Sequence, residues 1–71
     1  MKTTYKAVCE YEDGSRDEAT VVIVAEGGTI FQVAWEISNG EKDRMVLEAA
    51  SSQEAFEIWC EENGFEAAPD A

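Results

Sequence analysis

The segment Thr29-Ile30-Phe31-Gln32-Val33-Ala34-Trp35-Glu36-Ile37-Ser38-Asn39-Gly40 decides the fold class. Phe31, Val33, Trp35 and Ile37 share one face, and Gln32, Ala34, Glu36 and Ser38 share the other. That period of two is the mark of a half-buried strand. Asn39-Gly40 then supplies residues that tolerate the positive φ of a tight hairpin turn. Gly27-Gly28 and Asp13-Gly14 punctuate the chain in the same way, with runs rich in Val, Ile, Thr, Tyr, Phe and Trp between them. The spacing predicts four strands, over 3–12, 18–26, 29–38 and 42–49. Hairpin connections make them antiparallel, most simply a meander.

Alternation assigns the faces. In the first strand Tyr5, Ala7, Cys9 and Tyr11 face inward, and in the fourth Met45 and Leu47 do. Val21-Val22-Ile23-Val24 is apolar on both faces, which suits a central strand or an apolar patch open to a partner. Beyond residue 50 the period changes. Ser51-Ser52-Gln53-Glu54 has the spacing of a capping box, and Ala55, Phe56, Trp59 and Cys60 follow at helical spacing. Gly64 stands where a left-handed residue closes a helix. The reading is an α+β fold: a four-stranded antiparallel sheet with one C-terminal amphipathic helix, over 52–63, on its inner face. One domain spans 1–65, and 66–71 is expected to be a flexible acidic tail. The expected core is Tyr5, Cys9, Val21, Ile23, Phe31, Val33, Trp35, Met45, Leu47, Phe56, Trp59 and Cys60.

Seventy-one residues allow one core and leave little room for a deep cleft beside it. Histidine is absent, so no Ser–His or Cys–His nucleophile can be assembled. Cys9 and Cys60 match no zinc spacing, and both are expected as free thiols on core faces. Glu10, Glu12, Asp13, Asp17 and Glu18 do not fit the EF-hand loop, so no resident cation is expected there. The chain is read as a non-enzyme without cofactor or metal. No run approaches the roughly 18 apolar residues of a membrane span, and no charged region followed by an apolar run opens the chain. A cytoplasmic location is expected.

Charge is the strongest signal. Sixteen acidic residues against five basic ones give −11, beyond the magnitude of about 2–8 usual for a small domain. The basic residues look scattered among acids, which argues against direct contact with nucleic acid. On the helix, Glu54, Glu57 and Glu61 form a stripe with Glu62 beside it, and no Lys or Arg follows Arg44. Glu10, Glu12, Asp13, Asp17 and Glu18 surround the first hairpin. Such carboxylates cost stability: like charges four residues apart repel, and acids oppose the negative end of the helix dipole. Their spacing of about 5–6 Å along a helix face is comparable with that of a phosphate row. The expected partner is a basic nucleic-acid-binding protein, met by these two clusters.

Small size, strong acidity, an antiparallel sheet with one helix and no catalytic set give the chain a resemblance to small phage-encoded inhibitors of bacterial defence, the anti-CRISPR and anti-restriction proteins. The segment Ser52-Gln53-Glu54-Ala55-Phe56-Glu57-Ile58-Trp59 is similar in style to the helix of a type I-F anti-CRISPR. The resemblance implies steric or mimetic blockage of a nucleic-acid channel, for example in a CRISPR effector, inside a bacterial host. It assigns no residue a role position by position. The alternative is a structural module that homodimerises through a strand edge or through the Val22 and Val24 face.

Overall fold

The computed structural model describes residues 2–69. It is an α+β fold with five antiparallel strands and one helix. The strands are β1 (Lys2–Glu10), β2 (Arg16–Gly27), β3 (Ile30–Ile37), β4 (Lys42–Glu48) and β5 (Glu66–Ala67), and α1 spans Ser52–Asn63. The first four strands form the expected meander. The sheet order is β4-β3-β2-β1-β5.

The fifth strand corrects the expected tail. Glu66 pairs with Val8 and Ala67 with Ala7, and the Ala68 N–H donates to the Lys6 carbonyl at 2.9 Å. The cause lies just upstream. Gly64 takes φ 73°, and its N–H and that of Phe65 both reach the Cys60 carbonyl. This left-handed closure turns the chain back, and Phe65 lands on Trp59 with ring centroids 5.1 Å apart. Residues 66–68 are thereby delivered to the edge of β1. Asp70 and Ala71, the rest of that expected tail, lie outside the described residues.

The helix starts as the capping box requires. Ser51 is extended and its Oγ accepts from the Glu54 N–H at 3.1 Å, while Glu54 Oε1 accepts from the Ala50 N–H at 2.8 Å. The apolar stripe Ala55, Phe56, Trp59 and Cys60 is buried against the inner face of the sheet. Tyr5 and Phe56 stack at 4.6 Å, and Trp35 meets Trp59 at 5.6 Å. Trp59 is fully buried with Val21, Ile23 and Val33. Its Nε1–H finds no hydrogen-bond partner among the described residues, a cost of about 1–3 kcal/mol set against the contacts of the ring.

Seven of the twelve expected core residues are buried, and Tyr5, Trp35, Met45 and Leu47 pack against the cluster half-buried. Ala7, Ala19, Ile37, Ala49 and Ala55 complete the core. Cys9 differs: it is half-buried outside the cluster, because its cross-strand neighbour on the inner face is Asp17. Tyr11 also departs from its expected inward place and is 49% exposed. β1 has ended at Glu10, and Tyr11 instead closes the hairpin: its N–H reaches the Ser15 carbonyl at 2.9 Å and its carbonyl accepts from Gly14 N–H at 3.0 Å.

Candidate partner interface

The registers place every strand residue on one of two faces. Lys2 pairs with Val24, which pairs with Gln32, which pairs with Val46. The next outward rows are Thr4, Val22, Ala34 and Arg44, then Lys6, Thr20, Glu36 and Lys42. Val8 with Glu18 and Glu66, and Glu10 with Arg16, finish that face. All five basic residues of the chain, Lys2, Lys6, Arg16, Lys42 and Arg44, therefore lie on the side of the sheet away from the helix. What looks scattered in sequence is segregated in space.

Five carboxylates share that outer face: Glu10, Glu18, Glu36, Glu48 and Glu66. Its formal charge is zero. The described acids elsewhere, namely Glu12, Asp13, Asp17, Glu26, Glu41, Asp43, Glu54, Glu57, Glu61 and Glu62, have no Lys or Arg on their side of the molecule. Among the described residues Arg16 and Glu18 form the single ion pair, at 3.5 Å. The net charge thus comes from the helix layer, the turns and the inner rim. A one-signed layer of this kind focuses a negative potential on one side of a small molecule.

The expected site residues divide accordingly. Glu57, Glu61 and Glu62 project from the exposed side of α1, and no basic residue stands in its last turn. Glu57 accepts one bond, from Gln53 Nε2 at 3.3 Å. Glu54 is on the same helix but is engaged in the cap. At the first hairpin, Asp13 accepts from the Ser15 hydroxyl at 2.6 Å and the Ser15 N–H at 2.9 Å. These bonds, the hydroxyl foremost, hold its carboxyl below the usual range. Asp17 accepts from the Tyr11 hydroxyl at 2.7 Å, and that bond pushes the phenol up to about 12. Glu12 is exposed. Glu10 and Glu18 sit on the outer face with the cations, so the hairpin cluster splits between two faces.

An open groove of about 800 Å³ crosses the outer face, lined by Thr20, Val22, Ala34, Glu36, Lys42 and Arg44 among others. Val46 is 62% exposed on the same face. Val22 and Val24, the outward half of the apolar β2 run, are half-buried there. Among the described residues no cluster of three or more potential metal ligands occurs, and no helix is long and apolar enough to cross a membrane. Cys60 is buried and its thiol is pushed up to about 11, first by burial and then by Glu57. A thiol held protonated in this way is a core filler and a poor nucleophile.

No protein-family model, curated protein or solved structure matches the chain.

Proposed function

We propose that this protein is a stoichiometric inhibitor that occupies the basic nucleic-acid-binding site of another protein or complex, in the manner of the anti-CRISPR and anti-restriction inhibitors of bacterial defence. It is a binder without catalysis or cofactor. The observation that supports this reading is the segregation of charge: every Lys and Arg lies on the helix-free face, which leaves the helix layer carrying carboxylates alone. Carboxylates placed merely for solubility would be interleaved with Lys, since i,i+4 Glu–Lys pairs stabilise a helix. Here Glu57 and Glu61 stand one turn apart with no cation between them.

Glu57, Glu61 and Glu62 carry the contact, and Glu12 and the hairpin carboxylates Asp13 and Asp17 add a second patch. Glu54 contributes charge from its capped position. Glu10 and Glu18, on the opposite face, contribute little. Against an Arg- and Lys-lined groove the negative layer gives a fast, salt-sensitive encounter.

The test is capture of the tagged protein's partners from bacterial lysate at low salt, with elution by a salt gradient. Recovery of one nucleic-acid-processing complex, released by moderate salt and displaced by its own DNA or RNA, is the expected result. Recovery of nothing beyond the protein itself, or of a partner that nucleic acid cannot displace, overturns the reading.

A further inference from the structure

The two edges of the sheet are treated differently. The β1 edge is covered at Ala7 and Val8 by β5, and the Lys6 carbonyl is taken by Ala68. β4 forms the other edge, and nothing lies beyond it among the described residues. Its backbone polarity follows from two bonds: the Ile37 N–H donates to the Glu41 carbonyl and the Ala49 N–H to the Thr29 carbonyl. Antiparallel ladders alternate, so the odd-numbered residues of β4 serve β3. Lys42, Arg44, Val46 and Glu48 then direct their N–H and C=O groups outward.

We propose that β4 is a self-association edge, and that its occupant is β4 of a second copy of this chain, paired antiparallel about Met45. In that register Lys42 stands opposite Glu48 of the second copy, twice by symmetry, and Arg44 stands opposite Val46. Met45 meets its own counterpart on the inner side, where it and Leu47 are half-buried and gain cover. All seven residues of β4 take part. Moving the centre to Arg44 sets that residue against itself. Moving it to Val46 retains an Arg44–Glu48 pair but leaves Lys42 and Asp43 outside the ladder. A shift by one residue turns the side chains to the wrong faces.

Charges on an edge strand normally protect it from pairing with another chain. On β4 they sum to zero, from Lys42, Asp43, Arg44 and Glu48, and they match themselves when the strand is reversed. That matters in a chain of net charge −11, whose copies otherwise repel. The twofold axis runs perpendicular to the sheet. It would create one ten-stranded sheet with both acidic helices on the same face. This inference does not rest on the proposed partner.

Sedimentation equilibrium at concentrations up to about 1 mM tests it, because an edge contact below about 1,200 Å² is weak. The expected species is a dimer of a 7.8 kDa chain. Glu48→Lys sets like charges opposite Lys42 at two places and weakens the dimer about tenfold or more. Lys42→Glu with Glu48→Lys restores it. Val46→Pro removes an outward N–H without touching the ladder to β3, and gives a monomer whose circular dichroism is unchanged. A wild-type chain that stays monomeric throughout, or a Val46→Pro dimer as tight as wild type, overturns the proposal. Failure of the double charge exchange to restore association overturns the register.

Discussion

Replacing Glu61 by Lys makes the folded protein more stable while it weakens partner binding. Glu61 lies in the last turn of α1, which ends at Asn63 and carries no basic residue. Two penalties are reversed together. The repulsion between Glu57 and Glu61 becomes a Glu-to-Lys pair in the favourable order, a change of about 0.4–1 kcal/mol. A negative charge at the negative end of the helix dipole becomes a positive one, a change of about 0.6–2 kcal/mol for an exposed site at low salt. Screening and side-chain freedom reduce the sum, leaving about 1–2 kcal/mol. In a domain of this size each kcal/mol moves Tm by about 4–8 °C. Thermal melting followed by circular dichroism at low ionic strength therefore shows a rise of at least about 4 °C. Glu61→Gln gives about half of it. Near 1 M salt, where the screening length is about 3 Å, the variants converge. An unchanged or lower Tm for Glu61→Lys at low salt would refute the reasoning, because the glutamate would then carry no uncompensated cost.

Other consequences are as specific. Ser51→Ala removes the acceptor for the Glu54 N–H and lowers stability by about 1 kcal/mol, read from a urea midpoint at unchanged slope. The Tyr11 phenol, held up at about 12 chiefly by its bond to Asp17, titrates far above an ordinary tyrosine in absorbance at 295 nm, and Asp17→Asn brings it back toward 10. Because that folded-state pKa is raised, its stabilisation is whole below about pH 10 and disappears as pH climbs through 12. Asp13 runs the opposite way: its carboxyl is lowered by Ser15, so its stabilisation is whole above about pH 4 and is lost as acid protonates it, and Ser15→Ala flattens that part of the acid melt. Cys60, buried with its thiol near 11, resists iodoacetamide at pH 8 in the folded protein and reacts once the protein is unfolded; rapid labelling of both cysteines in the native state would contradict its placement.

Much of the fold was legible because its signals are local. Asp13-Gly14, Gly27-Gly28 and Asn39-Gly40 fix three hairpins, and the Phe31–Ile37 alternation fixes the face. Ser51, Glu54 and Gly64 bracket the helix at its observed ends. β5 was not legible, since Glu66 and Ala67 have no periodicity of their own and are placed by Phe65 docking on Trp59. Tyr11 and Cys9 were misplaced because alternation was carried to the end of a strand whose last cross-strand neighbours are polar. The charge segregation was present in the sequence but hidden by distance along the chain. The pairing sums of the three hairpins are all even, so even-numbered strand residues all face outward, and Lys2, Lys6, Arg16, Lys42 and Arg44 are all even-numbered. Seeing that requires the register, and the register depends on hairpin loop lengths that strand patterns alone leave open. The same parity moved Glu10 and Glu18 away from the acidic layer.

The most direct measurement compares two variants for capture of a nucleic-acid-binding complex from bacterial lysate. One carries Glu57→Gln, Glu61→Gln and Glu62→Gln. The other carries Lys2→Gln, Lys6→Gln and Arg16→Gln on the helix-free face. The expected result is loss of the captured complex with the first and full retention with the second. Equal capture by both variants would contradict the proposal that the acidic helix layer is the binding surface.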